Sequence, residues 1–306
     1  MNPAIEFQDV YRRFNRQEVL RGLSFKVQEG QIYALLGRNG TGKTTALRIL
    51  MGSLRPHLGE TRVLGTASQS FKSADRENIG YVTEGHQLLK ELRIKQTLTF
   101  EDGTRSGFDR KFAEDALGRC GLELKKQVYQ LSRGQRAQLS LILTVAGNPK
   151  VLILDDPALG LDTVMRREFL DAMIDFLSGR GTTVLFSSHI LTDVERIADR
   201  IGILQDGRLC VDATLDDIKQ SVRIVHWHSA DGQTLPEVPG VLRQKASRSG
   251  LELTLLNPTQ ETLAQLASKG AQVTDPETPS LEDLFLNLTA APDSSGLLSP
   301  FAKETN

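Results

Sequence analysis

From residue 5 onward the hydrophobic positions fall into two rhythms. IEFQDV (5–10) and LSFKV (23–27) alternate apolar and polar, the period of strands with one covered face, and a turn lies between them. QIYALLG (31–37) is nearly all apolar, which predicts a buried strand running straight into a glycine-rich stretch. TTALRILMG (44–52) then sets Ala46, Leu47, Leu50 and Met51 at helical spacing, with Gly52 as a stop. Farther on, IKQTLTFE (94–101) and RKFAEDALGRCGL (110–122) predict short helices broken by glycines. RAQLSLILTVAGN (136–148) predicts a stronger helix, ended by Asn148 and Pro149. VLILD (151–155) is a wholly apolar strand before two acids. A long amphipathic helix (163–181), the strand TTVLFSS (182–188) and the helix ILTDVERIADR (190–200) follow. IGILQDGRL (201–209) then reads as strand, Asp-Gly turn and strand. Strands alternating with helices predict an α/β fold with a parallel sheet covered on both faces.

Beyond Ser221 the rhythm changes. RIVHWHS (223–229), VLRQKAS (241–247) and LELTLL (251–256) predict short strands. NPTQETLAQLASKG (257–270) predicts a helix with Asn257 as cap, Pro258 in the first turn and Gly270 at the end. AQVTD (271–275) predicts another strand, and SLEDLFLNLT (280–289) a last helix capped by Ser280. The expected organisation is a main domain over 1–220, with a helical subdomain over about 85–147, and a small α+β appendix over 221–290. A disordered tail is expected over 291–306.

Composition adds little to this outline. Of 306 residues, 39% are hydrophobic and 25% charged, ordinary for a globular chain, and the net charge of -1 gives no reason to expect nucleic acid. Cys120 and Cys210 lie far apart and read as buried small hydrophobes. MNPAIEFQDV lacks the basic region and apolar core of a signal peptide. No run approaches the roughly 18 apolar residues of a membrane span, so a membrane role is expected to come through a partner.

The chemistry starts at the glycine-rich stretch. Gly37-Arg38-Asn39-Gly40-Thr41-Gly42-Lys43-Thr44 fits G-x-x-x-x-G-K-[ST], between an apolar strand and a helix start. Such glycines let backbone N–H groups converge on phosphate oxygens, and the helix adds its positive N-terminal dipole. Lys43 is expected to contact the β- and γ-phosphates, Thr44 to ligate Mg²⁺, and Asn39, Thr41 and Thr45 to complete the phosphate-binding loop. An Asn-Lys-x-Asp guanine-reading motif is absent from the sequence. His226 and His228 share a strand face around Trp227, but without a third ligand in view they read as an ordinary strand face.

Leu131-Ser132-Arg133-Gly134-Gln135, then VLILDDPALGLD (151–162), then FSSHIL (186–191) follow in that order. Together with the phosphate loop, over about 5–215, they resemble the ATPase subunits of ABC transporters. The resemblance implies a P-loop NTPase core with an N-terminal antiparallel β part. It implies ATP and Mg²⁺ as cofactors, and a head-to-tail dimer in which Ser132, Gly134 and Gln135 of one subunit cap the ATP of the other. Arg133 stands where that loop usually carries Gly. Asp162 matches the segment that crosses the dimer interface, and Asp155 the acid that orients the water shell of Mg²⁺. The next position is usually Glu, which polarises the attacking water. Here it is Asp156, whose carboxylate sits back by about 1.5 Å, and misplacement near 1 Å can cost ~10²-fold in rate. Phosphoryl transfer depends more on positioning and charge than on base strength, which favours a slow, active enzyme. His189 matches the γ-phosphate-sensing histidine. Glu84 matches a residue, usually Gln, that touches Mg²⁺ and senses the permease, with Gln87 three residues on as a weaker candidate. Phe14 aligns best as the ring that stacks on adenine, with Tyr11 as the alternative.

PSLEDLFLNLT (279–289) resembles the close of bacterial subunits that serve separate exporting permeases. The resemblance therefore implies an exporter ATPase that works as a homodimer, held at the cytoplasmic face of the plasma membrane by an integral-membrane permease. Two alternatives are a non-transport, nucleotide-gated regulator and the weakly catalytic half of a heterodimeric transporter.

Overall fold

The computed structural model describes residues 3–228, 235, 238–247, 250–268, 272–278, 280–282 and 284–285. The tail expected over 291–306 and the helix end expected at Gly270 lie outside the described residues. The chain divides into two compact units, Met1–Leu209 and Cys210–Asn306. The expected boundary at 220/221 falls later than this division.

The first unit opens with β1 (Ile5–Phe14), β2 (Gln17–Val27) and β3 (Ile32–Leu36), followed by α1 (Lys43–Leu50), β4 (Leu58–Val63) and β5 (Thr66–Ala67). β1 pairs antiparallel with β2 and β4, giving a sheet of order β2-β1-β4-β5. The alternation seen in the sequence sends Ile5, Phe7, Leu23, Phe25 and Val27 into the core. The rings of Phe7 and Phe25 stack with centroids 4.4 Å apart, and Phe25 stacks on Tyr33 of β3 at 5.1 Å. This aromatic column joins the antiparallel sheet to the strand that feeds the phosphate loop. Each such ring, fully buried, stabilises the fold by about 1.5–3 kcal/mol.

The chain continues through α2 (Ser73–Glu77), β6 (Ile79–Val82), α3 (Ile94–Thr104), α4 (Arg110–Arg119), α5 (Arg133–Ala146) and β7 (Val151–Leu154). After these come α6 (Thr163–Leu177), β8 (Thr183–Ser188), α7 (Leu191–Ile197) and β9 (Arg200–Gln205). β9, β3, β8, β7 and β6 lie side by side in that order, all pairs parallel. β7 and β8 are buried along their whole length, as near-continuous apolar strands require. α5 and α6 pack on one another, α6 burying Phe169, Leu170, Met173, Phe176 and Leu177 at helical spacing. Cys120 is half-buried at the end of α4 rather than buried, and burial still pushes its thiol pKa up. Among the described residues no helix is long and apolar enough to cross a membrane.

β10 (Arg208–Thr214) carries the chain into the second unit, where α8 (Leu215–Ser221), β11 (Val222–His228), β12 (Val241–Ser247), β13 (Gly250–Leu256), α9 (Gln260–Leu266) and β14 (Gln272–Val273) follow. These strands form an antiparallel sheet of order β12-β13-β11-β14, with a core around Trp227, Leu253, Leu255 and Leu266. The sequence expectation for α9 needs correction. Its cap is Thr259, whose side chain accepts from Thr262 N at 3.1 Å, while Asn257 sits earlier in a left-handed turn, φ 46. A Thr two residues nearer the helix wins because its hydroxyl reaches the free N–H groups of the first turn. Cys210 is also half-buried rather than buried. Among the described residues no three His, Cys, Asp or Glu side chains gather as a metal site; His226 and His228 lie on β11 beside Gln272, Val273 and Thr274.

Candidate functional site

The site is assembled at the carboxyl ends of the parallel strands, where the loops after β3, β6, β7 and β8 meet. β3 delivers Gly37 into the loop that α1 closes. At Gly42, the residue before α1, φ is 111, and a Cβ there would lie 2.9 Å from the Val19 carbonyl oxygen. Both facts demand glycine. Lys43 is buried, and its Nζ donates to the carbonyls of Gly37 (2.7 Å) and Arg38 (3.2 Å), so the lysine holds the loop closed around its own charge. Thr41 Oγ1 also donates to Arg38 O at 2.9 Å.

Thr44 Oγ1 donates to Asp155 Oδ1 at 3.0 Å, linking the first turn of α1 to the end of β7. Ser187, fully buried in β8, donates to the same Asp155 oxygen at 3.1 Å and accepts from Asp156 N at 2.8 Å. Asp156 has φ 44, a left-handed conformation uncommon outside glycine that Asp tolerates better than most. His189 Nδ1 lies 2.8 Å from Asp156 Oδ2. A hydrogen-bonded chain thus runs Thr44–Asp155–Ser187–Asp156–His189 from the first turn of α1 across the ends of β7 and β8.

The electrostatics of this corner are unbalanced. Burial pulls the Lys43 ammonium pKa down, and the carboxylates of Asp156 and Asp155 only partly restore it. Burial pushes the Asp155 carboxyl above the usual carboxylate range, against the hydrogen bonds from Thr44 and Ser187. In both groups burial disfavours the charged form, and an anion at Lys43 or a cation at Asp155 would favour it. The oxygen donors Thr44 and Asp155, with few protein ligands, fit Mg²⁺, which keeps much of its coordination for water and phosphate.

A cleft of about 440 Å³ opens beside this chain. Phe14, Asn39, Gly40, Gly42, Lys43, Thr44, Thr45, Glu84, Asp156 and Ser187 line it. Phe14 at the end of β1 and the phosphate loop therefore share one cleft. Tyr11 does not line it; its hydroxyl would lie 2.9 Å from a Cβ on Gly22, so the ring covers β2 instead. Ser187 is the residue the sequence reading missed. The signal was its place beside His189 in FSSHIL, on a strand next to that of the two acids.

Ser132, Gly134, Gln135 and Asp162 are not among the residues that line the cleft. Ser132 caps α5: its Oγ accepts from Gln135 N, and Gln135 Oε1 accepts from Ser132 N, both at 3.1 Å. Gly134 is buried where a Cβ would come within 3.0 Å of Met165 in α6. Asp162 caps α6 by accepting from Met165 N at 2.9 Å.

A phosphate loop between a parallel strand and a helix, closed on a buried hydroxyl–carboxylate pair, defines a P-loop nucleotide hydrolase. A family model described as ABC transporter matches residues 20–159. Over 216 residues the chain is 32% identical to the ABC transporter ATP-binding protein YtrB of Bacillus subtilis, covering 71% of this chain and 74% of that protein. It is 30% identical over 296 residues to Nod factor export ATP-binding protein I of Burkholderia lata, covering 93% and 96%. The solved structure of an ATP-binding subunit of an ABC transporter superposes with a TM-score of 0.63 at 27% identity, over 71% of this chain and 92% of the other. The chain belongs to the ABC transporter ATP-binding proteins, and it is an ATPase subunit of that family.

Proposed function

We propose that this chain is the engine of an exporter: two copies close on two ATP molecules and drive a separate integral-membrane permease. The observation that carries the reading is the hydrogen-bonded chain from Thr44 through Asp155, Ser187 and Asp156 to His189, beside a cleft that Ser132 and Gly134 of the same chain do not line. Lys43 and the loop amides grip the β- and γ-phosphates. Phe14 stacks on the base. Thr44, Asp155 and Glu84 would hold Mg²⁺, which when bound would neutralise charge on the phosphate oxygens. Asp156 orients the attacking water and takes its proton, and His189 holds Asp156 and reaches the γ-phosphate. Ser132, Gly134 and Gln135 of a second copy complete the site, with Asp162 at the seam between copies.

The permease docks beside Glu84 and the helices after it, where Leu89 and Tyr129 are exposed. Tyr129 N donates to Lys90 O at 3.1 Å, which keeps these two segments together. Held this way, the chain sits at the cytoplasmic face of the membrane. Export is favoured because relatives matched over nearly their whole length carry export in their names.

The test is steady-state ATP hydrolysis by the purified chain beside Asp156→Glu and Asp156→Asn. The homodimeric engine predicts turnover in wild type, modest change with Glu, and a loss of ~10²-fold or more with Asn. Turnover by the Asn variant at the wild-type rate would remove Asp156 from the mechanism. Silence in wild type with recovery by Glu would favour a heterodimer with a stronger partner site, a reading that the shorter acid already supports.

A further inference from the structure

The exposed ring of Phe14 is not alone at the end of β1. The Arg12 guanidinium lies over it, 4.7 Å from the ring centroid. Phe14 lines the cleft and Arg12 does not. Arg12 is itself anchored: its Nη1 donates to Arg55 O at 3.0 Å, and its Nε is buried without a hydrogen-bond partner. Leaving a guanidinium N–H unsatisfied is costly, and the ring face is the compensation the structure supplies. The same stretch is tied down twice more, by His57 N to Tyr11 O (2.8 Å) and Arg13 N to His57 Nδ1 (3.4 Å). Residues 55–57 lie between α1 and β4, so these bonds fasten the Phe14 end of β1 to the segment that follows α1.

We infer that Arg12 is a positioning residue for nucleotide binding: it fixes the Phe14 ring from behind, so that the purine of ATP stacks on a preset, positively backed platform. Two physical effects add. A ring already held loses little side-chain freedom when the base docks. A cation behind the ring draws electron density from it, which favours stacking by an electron-rich purine. The inference rests on the reading of Phe14 as the base platform, and the test separates the two.

Calorimetric titration of the full chain in Mg²⁺ buffer would compare ATP with inorganic tripolyphosphate, which has no base. Arg12→Gln stays polar but removes the charge, and its shorter side chain also gives up the bond to Arg55 O. It is expected to weaken ATP by about threefold to tenfold and to leave tripolyphosphate unchanged, with KM rising and kcat constant. Arg12→Lys is expected to recover part of the loss. Phe14→Ala is expected to weaken ATP by about tenfold or more, and Arg12→Gln added to it should cost nothing further. If Phe14→Ala weakens ATP while Arg12→Gln does not, the role of Arg12 is overturned and the platform stands. If Phe14→Ala leaves ATP unaffected, the platform itself is overturned. Equal weakening of ATP and tripolyphosphate by Arg12→Gln would assign Arg12 to the loop's general integrity and overturn the inference.

Discussion

The phosphate corner and the start of α5 both present polar side chains at a helix N-terminus, yet they are built in opposite ways. At the corner, each partner comes from a different element: Thr44 from α1, Asp155 after β7, Ser187 from β8, His189 after β8. Nothing local holds those groups together; only the folded sheet does. At α5 the bonds are local, between Ser132 and Gln135, and at α6 between Asp162 and Met165. The corner is therefore a tertiary site, complete in one chain as far as its own groups go. The α5 start is a preset helix cap whose serine, while accepting from Gln135 N, still has its hydroxyl proton to donate. The difference fits a machine in which one copy holds the phosphates firmly and a second copy brings a rigid, ready-made cap to them.

The largest expected effect falls on the corner. Lys43→Met removes the buried charge of the glycine-rich loop, proposed to face the phosphates, and its two bonds to the Gly37 and Arg38 carbonyls. Hydrolysis should fall by about 10²–10³-fold, with ATP binding weakened as well. Stopped assays at saturating ATP check the first and titration checks the second. Near wild-type turnover in this variant would break the comparison at its firmer end.

Ser187→Ala comes next. It strips one hydrogen bond from Asp155 and leaves Asp156 N without its acceptor. Each acid loses one of its anchors and keeps only Thr44 or His189, so kcat should fall by about 10–100-fold. Thermal unfolding should report a loss of about 1–3 kcal/mol. A drop in stability with unchanged kcat would make Ser187 a structural serine only.

Much of this molecule could be read along the chain. Period-two and period-3.6 patterns placed β1 to β3, α1 and the elements from α3 onward in the first unit, because each buries one face or is wholly apolar, but not β4, β5, α2 or β6, for which no element was expected from the pattern. Gly37–Thr44 was legible because its chemistry is contiguous. The rest depended on pairing at a distance. Ser187 meets Asp155 and Asp156 across 32 and 31 residues, and no local spacing announces that. The cation behind Phe14 depends on Arg55, which β1 reaches only once the fold is made. At α9, Asn257 and Thr259 are both good caps by composition, and only the turn at Asn257 decides between them.

The smallest effect sharpens the other end of the comparison. Ser132→Ala removes the cap of α5 and should cost about 1 kcal/mol of stability. That change alone would not separate capping from phosphate contact. Ser132→Asp does, because Asp caps a helix as well as Ser and can accept from Gln135 N in the same way. The aspartate variant should therefore unfold at the wild-type temperature. In the proposed dimer, however, its charge would face the γ-phosphate of a nucleotide bound to the other copy, and like charges brought together in a closing interface repel strongly. ATP-dependent dimerisation, followed by light scattering with hydrolysis blocked by Asp156→Asn, should be lost in Ser132→Asp and weakened in Ser132→Ala. A capped, stable aspartate variant that still dimerises on ATP would leave Ser132 as a helix cap and nothing more, and the two regions would differ in construction without meeting in function.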